Sequence, residues 1–157
     1  MHKLRITNII PRENHNVTIN FEPVSGEFTT YKAGQFLTLS FEFGNREVRR
    51  SYSFNSSPDV DEPLSITVKR VENGEISRFL HHKIKQGDIV NALEPQGLFT
   101  YEPISDKERT VFLFAAGIGI TPLFSIMKTA LVRELKSKIV LIYSNSSPEV
   151  TPFKEEL

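Results

Sequence analysis

The chain has 157 residues, of which 39% are apolar, and its 19 lysines and arginines are matched by 19 aspartates and glutamates. That length holds one full domain, or one domain and part of another, and the even charge balance argues against a nucleic-acid partner and against an acidic disordered tail. Without cysteine the chain carries neither a disulfide nor a thiolate-held metal, so any iron-sulfur centre lies elsewhere. The N-terminus, Met1 to Arg5, lacks the apolar core of a signal peptide, and no apolar run approaches a membrane span. A cytoplasmic protein without membrane contact is the expectation.

Lys3 to Ile10 predicts a first strand closed by Pro11, with a polar loop over Arg12 to Asn16. Val17, Ile19 and Phe21 then alternate with Thr18, Asn20 and Glu22, the pattern of a strand packed on one face and wet on the other. After the Ser25-Gly26 turn and Phe28 to Tyr31 comes Ala33-Gly34-Gln35 as a break. Leu37, Leu39, Phe41 and Phe43 alternate next, and Gly44-Asn45 reads as a tight hairpin turn, since both residue types tolerate positive φ.

The return arm of that hairpin, Arg46 to Phe54, carries an anomaly. At the strand period of two, Val48, Arg50, Tyr52 and Phe54 share one face, while Arg49, Ser51 and Ser53 share the other. A guanidinium thus falls on the apolar side, where an unpaired charge is costly. Either this end of the face lines an open site with an anion in it, or the strand is irregular and Arg50 reaches water.

Ser56 to Pro63 is a polar loop, and Leu64, Ile66 and Val68 mark a fifth strand. From Ser77 the period changes, and Phe79, Leu80, Lys83 and Ile84 suit a short helix ended by Gly87-Asp88, with a sixth strand over Ile89 to Leu93. Short strands at this spacing predict a barrel or sandwich, whose one helix caps an open end. Pro95 to Gly97 and Glu102 to Glu108 read as linker.

Beyond Arg109 strand and helix alternate. Val111 to Ala115 is a continuous apolar run, as in a strand buried on both faces. It leads through Gly117-Ile118-Gly119-Ile120-Thr121-Pro122 into a helix with Leu123, Met127, Ala130 and Leu131 along one side. Thr121 suits the N-cap and Pro122 the first helical position. A second buried strand, Ile139 to Tyr143, follows, and Phe153 to Leu157 reads as the start of another helix. Two parallel strands and one helix do not complete a doubly wound domain. The expected division is therefore 1–104 for the barrel and 105–157 for an incomplete second unit.

Gly117 and Gly119 let backbone approach a ligand, and the amides at the following helix start attract anions such as pyrophosphate; alternatively the glycines only make a tight turn. The loop departs from the three-glycine dinucleotide fingerprint by placing Pro122 third, and no acidic residue ends the second strand. Gly74-Glu75-Ile76-Ser77 is a second glycine before a helix, with Ser77 able to cap or to offer its hydroxyl to a phosphate. His81 and His82 do not predict a metal site, because adjacent helix residues diverge and no third ligand is near.

Taken jointly, the arginine-any-tyrosine-serine stretch, the glycine-two-any-serine stretch and the Gly117 to Pro122 loop resemble the ferredoxin-reductase-like flavoenzymes. The resemblance covers essentially the whole chain. Ala115 to Lys128 and Leu141 to Asn145 look most like the reductase components of multicomponent oxygenases, the phenylacetyl-CoA oxygenase type among them. It implies a six-stranded antiparallel Greek-key flavin barrel followed by the first β-α-β part of a Rossmann-like nucleotide domain. It also implies electron transfer from NAD(P)H through FAD to an iron-sulfur or haem acceptor.

Carried onto matching positions, the resemblance implies that Arg50, within Arg50-Ser51-Tyr52-Ser53, binds the flavin phosphate. Tyr52 would stack on the isoalloxazine, and Ser53 would hydrogen-bond near its hydride-accepting nitrogen. Val68 and Lys69 would line the flavin edge through backbone groups, with Lys69 or Arg70 nearer the phosphates. Gly74, Ile76 and Ser77 would cradle the pyrophosphate. Thr121, with Pro122 beside it, would sit where nicotinamide and flavin meet, and Gly117 and Gly119 would lie under the nucleotide's phosphates. The family's later nucleotide-domain strands and any ferredoxin-like module are absent from these 157 residues. Two rivals are a non-enzymatic Greek-key binding module that has lost the flavin and an FMN-binding relative. The Gly74 to Ser77 loop favours FAD, because it supplies a second phosphate site.

Overall fold

The computed structural model describes residues 1–13, 15–60 and 62–157. Six antiparallel strands, β1 (His2–Arg12), β2 (Asn16–Pro23), β3 (Phe36–Phe43), β4 (Arg46–Ser53), β5 (Leu64–Lys69) and β6 (Ile89–Ala92), form one sheet in the order β4-β3-β6-β1-β2-β5. The sheet curls until its edges touch, where Phe54, just past β4, bridges Ile66 of β5. That closes one end of a Greek-key barrel. Toward Arg46, β4 and β5 make no further bridge among the described residues, and the barrel is open there.

Alternation decides which side chains fill it. Leu4, Ile6, Ile19, Leu37, Leu39, Phe54, Ile66 and Val68 are fully buried in one cluster, and Ile76 and Leu80 of helix α1 (Glu75–His82) are buried in the same cluster. Phe79 of the same helix meets Phe41 and Phe43 edge-on, at ring separations of 5.7 and 5.5 Å. In the hairpin turn Gly44 alone takes positive φ (+60°), so Asn45 does not, as fits a type II′ turn rather than type I′.

The second unit consists of β7 (Thr110–Ala116), a 3-10 turn at Gly117–Gly119, α2 (Ile120–Arg133) and β8 (Lys138–Ser144), with β7 and β8 paired in parallel. A second apolar cluster, including Leu113, Ile120, Leu123, Phe124, Ile126 and Phe153, lies between α2 and this two-stranded sheet. No helix among the described residues is long and apolar enough to cross a membrane.

Several expectations are corrected. Pro11 does not close β1: it pairs with Val17 inside the strand, tolerated because β6 covers β1 only as far as Arg5 and leaves one side of Pro11 unpaired. The outer face of β2 is wet only in part: Glu22 is exposed and Asn20 half-buried, but Thr18 is buried and shares a 2.8 Å hydrogen bond with Thr67 of β5, in the region that α2 and the C-terminal turn overlie. β7 is not buried on both faces, because Phe112 and Phe114 are 57% and 68% exposed while Leu113 is buried. Helix α1 begins at Glu75, so Ser77 lies in its first turn and does not cap it, and β6 ends at Ala92. Thr121 likewise is the second residue of α2, with Gly119 at the N-cap. Phe153 to Leu157 forms a single turn rather than a helix, with Phe153 at φ +60° and its ring stacked on Phe124 at 4.6 Å. Of the two polar loops, Asn14 and Asp61 lie outside the described residues.

Candidate flavin and nucleotide site

Strand β4 is unbroken. Its register against β3 runs without a shift from Phe36↔Ser53 through Leu37↔Tyr52 and Leu39↔Arg50 to Phe43↔Arg46, so Arg50 stands on the same face as Leu37 and Leu39, both fully buried. Strand irregularity therefore does not explain the arginine. The open end of the barrel does: Val48 and Phe54 are buried and Tyr52 half-buried, but Arg50 is exposed. Among the described residues its guanidinium makes one hydrogen bond, Nη1 donating to the Arg49 carbonyl at 2.7 Å, and pairs with no carboxylate. Arg49, on the outer face, is paired with Glu47 through both carboxylate oxygens, at 2.8 and 3.0 Å. Two adjacent arginines thus differ in the one property an anion site needs, a guanidinium with free donors.

The N-terminus of α1 is held beside β4 by Arg46, which donates to both carboxylate oxygens of Glu75 at 2.8 Å. Arg46 and Arg50 share a strand face about 13 Å apart along β4. The helix has no side-chain cap at Gly74, so the first-turn amides of Glu75, Ile76 and Ser77 lack the partner that a cap would give them. Ser77 is turned inward: its hydroxyl accepts from the Val71 amide at 3.0 Å and bonds back to the Gly74 carbonyl at 3.2 Å. A Cβ on Gly74 would stand 2.5 Å from that hydroxyl, so glycine is required by the turn itself. Of this stretch, the free amides can meet a phosphate, while the Ser77 hydroxyl holds the turn and Ile76 is a core residue.

Burial pushes the Tyr52 phenol up to about 12, against the opposing influence of Arg50, so the ring is neutral at ordinary pH and offers a flat, half-exposed apolar face. Ser51 hydrogen-bonds Thr38 at 2.8 Å on the other face, away from the mouth, and Ser53 is half-buried. Val68 is core, but its carbonyl accepts from His81 Nε2 at 3.0 Å; burial lowers the His81 pKa, so this imidazole is a neutral donor. No cluster of metal-ligating residues forms among the described residues. Lys69 is the last residue of β5, and Arg70, which follows it, lines a cavity of about 370 Å³ with His15, Arg78, His82 and Glu72.

The second loop is shaped by Gly117 at φ +48°, whose carbonyl accepts from the Tyr143 hydroxyl at 2.9 Å. Space above both Gly117 and Gly119 is open. Thr121 is buried and donates to the Ile118 carbonyl at 3.1 Å, and Pro122 is half-buried. The loop opens at the C-terminal ends of two parallel strands, where α/β sheets bind their ligands. At the end of β8, Tyr143, Asn145, Ser147, Thr151 and Lys154 line a further cavity of about 360 Å³.

Sequence reasoning missed the residues that hold the two units together. Glu134, the side chain fully buried at the end of α2, accepts from Arg109, Tyr101 and Ser137 and from the Ile104 amide, tying the linker to the helix. Lys128 pairs with Glu62 and Arg12 with Glu156. A glutamate following an apolar helix carries no periodic signal.

Residues 11–101 match the family described as oxidoreductase FAD-binding domain. The chain is 35% identical, over 99% of its length, to a subunit of the 1,2-phenylacetyl-CoA epoxidase of Escherichia coli K12, of which it covers 44%. It is 40% identical, over 81% of its length, to the ferredoxin reductase component of the 3-ketosteroid-9-alpha-monooxygenase of Rhodococcus rhodochrous, of which it covers 35%. Among solved structures it overlays 99% of itself on 47% of phthalate dioxygenase reductase, at a TM-score of 0.78 and 27% identity. The chain thus spans less than half the length of these relatives.

Proposed function

Because the chain belongs to the oxidoreductase FAD-binding domain family, we propose that it binds FAD at the open mouth of its barrel and serves as the flavin-bearing part of an NAD(P)H-dependent reductase. Its acceptor would be an iron-sulfur or haem protein of an oxygenase system. The observation that carries this reading is Arg50, a guanidinium paired with no carboxylate among the described residues, on the core face of a regular strand where β4 and β5 part. The residues present fit the cofactor. Arg50 and the uncapped amides of Glu75 to Ser77 offer two anion sites, for the phosphate groups of a dinucleotide, and Tyr52, two residues from Arg50 on the same strand face, offers a flat neutral ring.

When bound, FAD supplies the redox chemistry, taking two electrons as hydride from NAD(P)H and releasing them singly to the acceptor. The chain's own part is to orient and to exclude. Tyr52 would cover one face of the ring system, Ser53 would donate at its edge, and the backbone of Val68 and Lys69 would border the other edge, with Arg70 toward the phosphates. The Gly117 to Pro122 loop, with Gly117, Gly119 and Thr121, would receive the nicotinamide nucleotide. Residues 1–104 would form the flavin unit and 105–157 part of the nucleotide unit, in the cytoplasm, where a chain without cysteine is at no disadvantage.

The test is cofactor identity. The purified chain is expected to be yellow, and the flavin released on denaturation is expected to be FAD. Release of FMN would remove the pyrophosphate role from Gly74 to Ser77, and a colourless chain that takes up neither flavin would leave only a binding module.

A further inference from the structure

Helix α2 carries Thr121, Ser125 and Thr129, hydroxyl residues four apart on one face, and all three are buried. A buried hydroxyl is costly unless hydrogen-bonded. Two of the three find partners in the loop that leaves β4. Ser125 Oγ donates to the Ser56 carbonyl at 2.6 Å, and Ser57 Oγ shares a 2.7 Å bond with Thr129 Oγ1.

The loop end of these bonds is itself fixed. Ser56 Oγ is bonded to the Tyr31 hydroxyl at 2.8 Å and accepts the Ser65 amide at 3.0 Å. The Ser57 amide donates to Glu62 at 2.6 Å, and that carboxylate also receives Lys128 of α2. On one side, Ser56 lies four residues beyond Tyr52. On the other, Ser125 lies one helical turn, about 6 Å, beyond Thr121. A short covalent and hydrogen-bonded path between the Tyr52 end of β4 and the Gly117 to Pro122 loop therefore runs through the Ser56 carbonyl and the Ser125 hydroxyl.

We infer that Ser125 and Thr129, with Ser56 and Ser57, form a clamp that sets the register of the Gly117 to Pro122 loop against β4; they are positioning residues for nucleotide-to-flavin transfer. Apolar contact is non-directional and would hold α2 to the barrel at a range of offsets, whereas two angular hydrogen bonds one turn apart admit a single offset. The clamp itself stands on these hydrogen bonds alone, and only its consequence for electron transfer rests on the proposed function. Reacting atoms must approach to roughly 3–3.5 Å, and a misplacement of about 1 Å costs on the order of 100-fold in rate.

The absence of cysteine makes a clean distance measurement available. Spin labels attached at Lys3→Cys on the barrel and Lys136→Cys on the second unit, both exposed, report the separation of the two units. With the clamp intact, one narrow distance distribution is expected. Combining Ser125→Ala with Thr129→Val should broaden or displace it and slow flavin reduction at saturating NADH by roughly 10- to 100-fold relative to the unsubstituted chain. FAD affinity should not change, and Thr129→Ser, which keeps the hydroxyl, should match the unsubstituted chain in both measurements. An unchanged distribution in a variant whose circular dichroism shows it folded overturns the clamp, and a broadened distribution with an unchanged reduction rate overturns its positioning role. Should the double variant fail to fold, Thr129→Val alone provides the comparison. If the unsubstituted chain takes up no FAD, the functional reading fails while the distance measurement still decides the clamp.

Discussion

Arg49 and Arg50 are neighbours in sequence with opposite circumstances. Arg49 is neutralised by Glu47 on the outer face, and Arg50 stands free at the barrel mouth. Loss of a charge-assisted phosphate contact is worth roughly 1.5–3 kcal/mol. Arg50→Ala is therefore expected to weaken FAD binding by that amount in calorimetry or flavin-fluorescence quenching, and Arg49→Ala by far less. Equal losses would remove Arg50 from the phosphate site. Glu134 makes a different prediction, about pH. The hydrogen bond from Arg109 is the foremost cause holding its carboxyl at about 2, below the ordinary carboxylate value. The folded-state value is depressed, so its stabilising contribution is complete above about 4.5 and is lost as pH falls from there toward 2. Glu134→Gln should abolish that part of the acid transition followed by circular dichroism. It should also cost about 3 kcal/mol at neutral pH, because it leaves Arg109 without its anion in a partly buried site. An acid midpoint that does not move would show that other carboxylates govern it.

At the scale of elements, the two units are unequal. β3 is paired on both sides and its core residues are fully buried, whereas β7 and β8 pair only with each other among the described residues and expose Phe112, Phe114 and Ile142. Amides of β7 are expected to exchange with solvent well before those of β3. Equal protection of Val111 to Ala115 and Leu37 to Phe41, in a demonstrated monomer, would refute this. The same contrast explains what was legible in the sequence. Alternation revealed the barrel strands and the face of Arg50 because the core accepts one side of each strand and ignores residues beyond the sheet. It could not reveal that Thr18 is buried, because its cover comes from α2, more than 100 residues later. Thr121 and Ser77 look like caps to local rules, yet each helix starts earlier, at an N-cap glycine that has no side chain to cap with. The apolar run of β7 reads alike whether one face or two are covered, so its exposed phenylalanines needed the fold to be seen.

For the molecule as a whole, the second unit, proposed above to receive the nucleotide, offers one glycine loop, two strands and a helix, and nothing further among the described residues to hold the far side of a dinucleotide. Positioning of reactants accounts for roughly 7–11 kcal/mol of a barrier in favourable cases, much of it supplied by remote parts of the substrate. As a 157-residue polypeptide the chain is therefore expected to reduce FAD slowly with NADH or NADPH in stopped flow, with a lowered maximal rate as well as a raised Michaelis constant, while dithionite reduces it normally. Reduction as fast as in a longer chain carrying the relatives' following strands, saturating at similar nucleotide concentration, would contradict this. The strand order has a further consequence, for synthesis. β1 takes its place between β2 and β6, and Leu4 is paired with Val90. On a ribosome adding about 5–20 residues per second, the side of β1 destined for β6 stands open for roughly 4–17 s after Leu4 is made. During that interval β1 and β2 can pair as a hairpin, and β3 with β4 as another; β5 can join β2 and touch the second hairpin at the Phe54–Ile66 bridge, but the gap between β1 and β3 is filled only when β6 arrives. The barrel thus forms at the last strand rather than growing from the first, and until then the nascent chain carries two open strand edges on which a holding chaperone or a neighbouring nascent copy can act.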